Sequence, residues 1–147
     1  LNFKRIGKFT DELADFAGEY GLKFSWENVS WCWYAYPEFA QRILEHTKTK
    51  NLYFTLDIKQ AMQTGYDPME FVEYMGERLV NIHAIDFDKE GKLVLPGEGI
   101  FDFYALSDRL KAFNYKGPIL LEVYRENYRH YKDMRKSLEY LEKVFRV

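Results

Sequence analysis

The sequence lacks several features that mark secreted, membrane-spanning and nucleic-acid-binding proteins. Cys32 is its only cysteine, so no disulfide can form within the chain, which favours a reducing cytoplasm. There is no apolar run of about 18 residues to span a membrane, and no charged-then-apolar leader of the signal-peptide kind. The formal net charge is −2 with acids and bases interspersed, so the basic surface of a nucleic-acid binder is missing.

The sequence does contain enough apolar and aromatic residues to build a core. It has 12 Tyr, 12 Phe and 3 Trp among 147 residues, and no linker or low-complexity segment interrupts them. This length fits one domain. We therefore expect residues 1–147 to form a single domain.

Helical and strand-like patterns alternate along the chain and predict an α/β fold. The predicted helices are 9–20, 37–46, 67–77, 101–113 and 131–145, and the predicted strands are 22–29, 51–58, 79–85 and 119–124. Thr10 is the predicted N-cap of the first helix, and Asp67 with Pro68 opens the third. Strands that are almost continuously apolar and separated by helices are typical of parallel β/α units.

Four β/α units are half of what a closed barrel needs. An eight-stranded β/α barrel typically takes about 250 residues. The chain could be an open four-stranded sandwich that is complete in itself, or the C-terminal half of a TIM barrel. We favour the half-barrel, with four strands and flanking helices.

Each of the four predicted strands ends in a side chain of a metal-ligand type. These residues are Glu27, Asp57, His83 and Glu122. Parallel strands all point the same way, so these side chains should converge on one rim, where such folds place their chemistry. A lone Glu at a strand end is usually a solvated acid, and a lone His on an apolar strand usually belongs to the core. The occurrence of such residues at all four strand ends is what favours a site.

The motifs that surround these residues resemble the xylose-isomerase-like barrels, the superfamily of sugar isomerases/epimerases and apurinic endonucleases. The pieces fall in the family's order and spacing: Trp26-Glu27-Asn28-Val29, Leu56-Asp57-Ile58-Lys59-Gln60-Ala61, Val80-Asn81-Ile82-His83-Ala84-Ile85-Asp86, Pro96-Gly97-Glu98-Gly99 and Gly117-Pro118-Ile119-Leu120-Leu121-Glu122. The resemblance covers nearly the whole chain but only the second half of the family's fold.

The resemblance implies a single divalent metal at the barrel mouth, held by Glu27, Asp57, His83 and Glu122. Three carboxylates and one imidazole suit Mn²⁺ first, with Mg²⁺, Co²⁺ or Zn²⁺ as alternatives. The family often has a His where this chain has Gln60. The trinuclear zinc site of the endonucleases needs several histidines at strand ends, and only His83 is at one, so DNA repair is not expected.

Other residues near the rim have both a functional and a structural interpretation. Asp86 could orient His83 from the second coordination shell, or it could cap a turn. Trp31 could pack on a sugar, or cover the barrel end or a partner chain. Gln60, Lys59 and Lys89 are candidate substrate contacts, the lysines for a phosphate or carboxylate.

Two hypotheses about function follow. In the first, implied by the resemblance, the chain is a metal-dependent isomerase or epimerase of a small sugar or sugar phosphate, or a fragment of one. Glu27 and Glu122 would then transfer protons through an enediolate. In the second, it is an inactive half-barrel that must associate. Its two sheet edges and an apolar inner face would invite a partner, and two copies could close an eight-stranded ring.

Overall fold

The computed structural model describes residues 1–146. Six strands occur in this range: β1 Phe24–Glu27, β2 Leu52–Asp57, β3 Leu79–Ala84, β4 Asp86–Phe87, β5 Leu93–Val94 and β6 Ile119–Leu121. Four of them form a parallel sheet in the order β1-β2-β3-β6, while β4 and β5 form a small antiparallel pair. The prediction of parallel β/α units is confirmed.

Six α-helices connect and flank these strands. They are α1 Phe3–Glu19, α2 Phe39–Leu44, α3 Ile58–Thr64, α4 Pro68–Met75, α5 Phe103–Ala112 and α6 Tyr131–Val144. α4 begins where the sequence predicts, because Asp67 accepts a hydrogen bond from the amide of Met69 and Pro68 occupies the first turn. No helix of residues 1–146 is long and apolar enough to cross a membrane.

The first helix starts earlier than predicted. Asn2 is the N-cap, and its side chain accepts a hydrogen bond from the amide of Arg5. Thr10, the predicted cap, lies buried inside α1, where its hydroxyl accepts a hydrogen bond from the indole N–H of Trp26 at 3.2 Å. The predicted cap was wrong because α1 begins seven residues before Thr10, at Phe3. The hydroxyl of Thr10 bonds to β1 instead, a contact between distant residues that the local sequence does not reveal.

The core lies between the sheet and its helices. Phe54, Leu56 and Ile82 point from the sheet into this layer with no exposed surface. Next to Phe54, the ring of Tyr34 stacks on Phe39 with centroids 4.7 Å apart. This packing holds the sheet against its helices.

The opposite face of the sheet, called here the inner face, is largely polar. The hydroxyls of Ser25 and Thr55 hydrogen-bond across β1 and β2 at 2.8 Å, and Asn81 lies beside them on β3. Leu120 is the exposed apolar residue of this face. The expectation of an apolar inner face was wrong, because hydroxyl and amide side chains alternate with the core residues along β1, β2 and β3.

The sheet has two free edges within the described residues. β1 pairs only with β2, and β6 pairs only with β3. The sheet is therefore an open arc of four parallel strands. Its carboxyl-terminal rim carries the residues described next.

Candidate metal centre

The four strand-end residues meet at one rim of the sheet. Glu27 and Asp57 are the last residues of β1 and β2, His83 is the penultimate residue of β3, and Glu122 directly follows β6. The strands are parallel, so their carboxyl ends face the same side. Ligand atoms of Glu27, Asp57 and His83 all lie within 4.8 Å of one another.

Glu122 joins this group through the imidazole of His83. Its Oε2 lies 2.8 Å from Nδ1 of His83, and Oε1 of Glu27 lies 3.5 Å from the same nitrogen. Although buried and this close to carboxylates, Nδ1 makes no aligned hydrogen bond within residues 1–146. A buried, unsatisfied nitrogen surrounded by carboxylate oxygens is the donor arrangement that a divalent cation would satisfy.

Asp57 is the most buried of the four residues, with only 2% of its surface exposed. Burial raises the pKa of its carboxyl group to about 6, and the negative charges of Glu122 and Glu27 act in the same direction. The hydrogen bond from the amide of Gln60 (2.9 Å) and the charge of Lys59 oppose this rise. A cation bound among the carboxylates would favour the ionised form of Asp57.

A buried asparagine holds the end of β2 in place. The side-chain amide of Asn28 donates to the carbonyl oxygen of Asp57 at 2.9 Å, and its oxygen accepts from the amide of Asp57 at 2.8 Å. Two hydrogen bonds to one residue fix both position and direction. Asn28 therefore ties the loop after β1 to the strand end that carries Asp57.

Glu122 has a second set of contacts on its other oxygen. The hydroxyl of Tyr124 donates to Oε1 of Glu122 at 3.0 Å, and the ammonium of Lys59 lies 3.9 Å from the same oxygen. Lys59 also donates to the Tyr124 hydroxyl and lies over its ring. The two oxygens of Glu122 thus face different groups, one the imidazole and the other the lysine and tyrosine.

The predicted substrate contacts lie at different places around the rim. The side-chain oxygen of Gln60 accepts from the amide and the hydroxyl of Ser30, both at 2.9 Å. Trp31 is 81% exposed in the same loop. Lys89 is exposed in the turn between β4 and β5. Gln60 and Lys59 are therefore held close to the carboxylates, whereas Trp31 and Lys89 extend into solvent.

Asp86 organises a loop. Its carboxylate accepts backbone hydrogen bonds from Phe87, Gly97, Gly99 and Phe101 at 2.8–3.1 Å. This arrangement matches the turn-forming alternative for Asp86. The side-chain amide nitrogen of Asn81 lies 3.0 Å from Nε2 of His83, on the opposite side of the ring from the carboxylates at Nδ1.

The comparisons with known proteins give the same fold. The sequence profile of the family described as "Xylose isomerase-like TIM barrel" matches residues 2–144. The chain belongs to this family. Its four-stranded arc is accordingly part of a TIM barrel.

Relatives of this xylose isomerase-like chain include proteins of known and unknown activity. It is 30% identical over 145 residues to the uncharacterized protein MJ1311 of Methanocaldococcus jannaschii, covering 92% of this chain and 47% of that protein. It is 26% identical over 155 residues to a 3-dehydroshikimate dehydratase of Pseudomonas aeruginosa, covering 92% of this chain and 24% of that protein. The chain thus spans less than half the length of either relative.

Solved structures, one of them a sugar epimerase, share the fold. D-psicose 3-epimerase with D-tagatose from Clostridium cellulolyticum H10 superposes with a TM-score of 0.76 at 16% identity, over 99% of this chain and 57% of that one. The IOLI protein with a bound zinc atom superposes with a TM-score of 0.75 at 19% identity, over the whole of this chain and 60% of that one. At these identities the likeness concerns the fold.

Three residues of this xylose isomerase-like rim were missed in the sequence. They are Asn28, Asn81 and Tyr124, each next to a predicted ligand or two positions from one. A signal existed for Asn81, because side chains two residues apart on a strand share a face, whereas Glu122 and Tyr124 lie beyond the end of β6. Asn81 lies on the face of His83, and the hydroxyl of Tyr124 contacts Glu122.

Proposed function

We propose that this chain carries the metal site and the proton-transfer groups of a divalent-metal-dependent sugar isomerase or epimerase. The observation that carries the proposal is the convergence of Glu27, Asp57, His83 and Glu122, with an unsatisfied imidazole nitrogen among the carboxylates. These four residues would hold the metal. Their hard, oxygen-rich donor set favours Mn²⁺, with Mg²⁺, Co²⁺ and Zn²⁺ as alternatives.

The metal, when bound, supplies Lewis-acid polarisation of the substrate carbonyl. Glu27 and Glu122 transfer the protons. They come from the two outer strands of the arc, β1 and β6, with β2 and β3 between them. A small sugar between the two carboxylates would lose a proton from the carbon next to its carbonyl to one of them, and the resulting enediolate would receive a proton from the other, which must start out protonated.

The residues around the carboxylates would position the substrate. Gln60 and Lys59 are held close to Asp57 and Glu122, within reach of a ligand at the rim. Lys59 and Lys89 would contact a phosphate or carboxylate of a sugar phosphate, and Trp31 would close over a sugar ring. Asp86 supports the loop after β5.

The test is the substitution of Glu122 by Gln in the active form of the protein. Gln keeps the volume but cannot accept the substrate proton, so we expect a loss of about 10²- to 10⁴-fold. The measurement is solvent-deuterium exchange at the carbon next to the carbonyl across a ketose panel with Mn²⁺. Glu126→Gln, an exposed acid nearby, is the matched control. Exchange at the wild-type rate in Glu122→Gln would remove this carboxylate from the mechanism.

A dehydratase is the second candidate, favoured by the 26% identity to a 3-dehydroshikimate dehydratase. Removal of a proton next to a carbonyl is shared by the two reactions, and loss of a neighbouring hydroxyl as water then completes the dehydration. Mass spectrometry of the products distinguishes them. An isomer has the substrate's mass, whereas a dehydrated product lacks one water.

We also propose that activity requires the arc to be completed by another half-barrel. The two unpaired edges of the sheet support this. A half-barrel without its partner would be inactive.

A further inference from the structure

Two polar atoms on the inner face of β3 are buried without a hydrogen-bond partner within residues 1–146. One is Nδ1 of His83, which makes no aligned hydrogen bond although Oε2 of Glu122 lies 2.8 Å away, and the other is the side-chain oxygen of Asn81. The two side chains are two residues apart on one strand, so they lie side by side. The amide nitrogen of Asn81 and Nε2 of His83 are 3.0 Å apart.

This contact, together with the Glu122 carboxylate 2.8 Å from Nδ1, indicates which nitrogen of His83 carries the ring proton. An amide nitrogen can only donate, so in this arrangement Nε2 accepts and the single proton of the neutral ring is on Nδ1. An Nδ1 that carries a proton has no lone pair for a metal. A 180° rotation of the side-chain amide of Asn81 exchanges the positions of its nitrogen and oxygen and brings the unsatisfied oxygen to Nε2. The proton on Nδ1 passes to solvent by way of the adjacent carboxylate of Glu122, and solvent supplies one to Nε2. Nε2 then donates to the amide oxygen, and Nδ1 faces the carboxylates with a free lone pair.

We propose that Asn81 is a positioning residue that sets the tautomer of His83, and that its amide turns to accept from Nε2 when a metal binds at Nδ1. This rests on the proposed metal site. The rotation gives Asn81 Oδ1 a donor in Nε2–H and leaves His83 Nδ1 free for the cation, while the amide nitrogen of Asn81 moves to the side that the oxygen occupied. Ligating histidines generally donate their other ring N–H to such an acceptor, which fixes the ring and raises its basicity.

The experiment uses two substitutions of similar size with opposite hydrogen-bonding ability. Asp at position 81 can only accept when ionised, so Asn81→Asp holds the tautomer that binds metal and should keep or increase the affinity for Zn²⁺. Leu can neither donate nor accept a hydrogen bond, so Asn81→Leu should weaken Zn²⁺ binding by roughly 10- to 100-fold, the usual effect of losing the hydrogen-bond partner of a ligating histidine. Affinity is measured by competition with a chelator, and folding by circular dichroism.

Thr55→Val is the matched control. Thr55 lies beside Asn81 on the inner face, but its hydroxyl pairs with Ser25, so the affinity for Zn²⁺ should be unchanged. The second measurement is ¹⁵N NMR of the imidazole, with the His83 signals assigned by their loss in His83→Gln. The ring proton should be on Nδ1 without metal and on Nε2 with Zn²⁺.

The outcomes separate this inference from the proposed function. Wild-type affinity in Asn81→Leu, or a zinc-bound ring that keeps its proton on Nδ1, overturns the role of Asn81 and leaves the metal site intact. A loss in Asn81→Asp equal to that in Asn81→Leu also overturns it, because acceptance would then not matter. A wild-type chain that binds no Zn²⁺, Mn²⁺ or Co²⁺ contradicts both proposals.

Discussion

At the scale of single residues, two tyrosines hold their hydroxyl groups in opposite environments. Tyr34 has no exposed surface, and its hydroxyl has no hydrogen-bond partner in residues 1–146. Its burial raises the pKa of the phenol well above the usual value. Tyr115 is only partly buried, and its hydroxyl donates to the carbonyl oxygen of Pro118 at 2.7 Å. The same group is thus unsatisfied in one residue and satisfied in the other.

We expect Tyr34→Phe to stabilise the chain by about 1 kcal/mol, because it removes a desolvated hydroxyl and keeps the ring against Phe39. Tyr115→Phe should destabilise it by about 0.5–1.5 kcal/mol, because it removes the shorter of two hydrogen bonds to the carbonyl of Pro118 and leaves only the one from the amide of Ile82 at 3.3 Å. Urea denaturation of both variants gives the two free energies of unfolding. A destabilised Tyr34→Phe would mean that its hydroxyl does have a partner in solution.

At the scale of elements, the sequence predicts what depends on neighbouring residues and misses what depends on distant ones. The pair Asp67-Pro68 predicts the start of α4 correctly, because cap and first turn are adjacent in the chain. α3 was missed, although Asp57 caps it and Gly65 ends it in a left-handed conformation. The prediction used Asp57 only as a strand end, whereas its carboxylate also accepts from the amide of Gln60.

The small antiparallel pair of β4 and β5 was also missed. Each strand has two residues, too few to give a periodic pattern. Asp86 draws together backbone amides up to 15 positions away, and no local pattern contains that information. β6 ends at Leu121 rather than at residue 124, because Tyr124 begins a turn in which its amide donates to Asn127.

The candidate site likewise has features that the sequence predicts and features that depend on the folded chain. The convergence of Glu27, Asp57, His83 and Glu122 follows from parallel strands alone, so it could be predicted. The asparagines that orient the site, Asn28 and Asn81, act through hydrogen bonds whose partners depend on side-chain orientation in the folded chain.

The contact between α1 and α2 gives a prediction for an element. Gly7 lies inside α1, where Ala would normally stabilise a helix by about 1 kcal/mol. A Cβ at this position would lie 2.0 Å from the carbonyl oxygen of His46, at the end of α2. Backbone would have to move, so we expect Gly7→Ala to destabilise the chain by roughly 1–3 kcal/mol. Thermal denaturation measures the change.

Gly18→Ala in the same helix is the control. A Cβ there meets only the side chain of Asn51, at 3.4 Å, the distance of an ordinary van der Waals contact. This variant should be neutral or more stable by up to about 1 kcal/mol. If both substitutions changed the stability equally, the close contact between Gly7 and the carbonyl oxygen of His46 would not be the reason for glycine at position 7.

At the scale of the whole molecule, apolar surface lies beside a free edge of the sheet. Phe9, Leu13, Phe16 and Tyr20 recur every three or four residues along α1 and are all exposed. The other face of α1 packs on the chain's own core through Phe3, Ile6 and Ala14. A helix that is apolar on both faces is expected to be covered on both. The outward residues therefore mark where a neighbouring β/α unit would pack.

Two copies can supply that neighbour for each other. A two-fold axis parallel to the strands keeps every strand direction, so β1 of one copy can pair in parallel with β6 of the other at both junctions. α1 of each copy then packs beside α6 of its partner, where Leu138 is exposed. The closed ring has eight strands, the number that a TIM barrel requires.

We therefore expect the chain alone to form a dimer at micromolar concentration in sedimentation experiments. Phe16→Lys places a charge in the interface and leaves the core untouched, since Phe16 is 59% exposed. Loss of one buried aromatic side chain typically costs about 1.5–3 kcal/mol, and the two-fold dimer loses one at each junction, so it should weaken by roughly 10²- to 10⁴-fold. Tyr74→Lys, a substitution on α4 far from both sheet edges, should leave the dimer unchanged. A folded wild-type monomer at this concentration, or a Phe16→Lys dimer of unchanged affinity, would rule out association of two copies through α1.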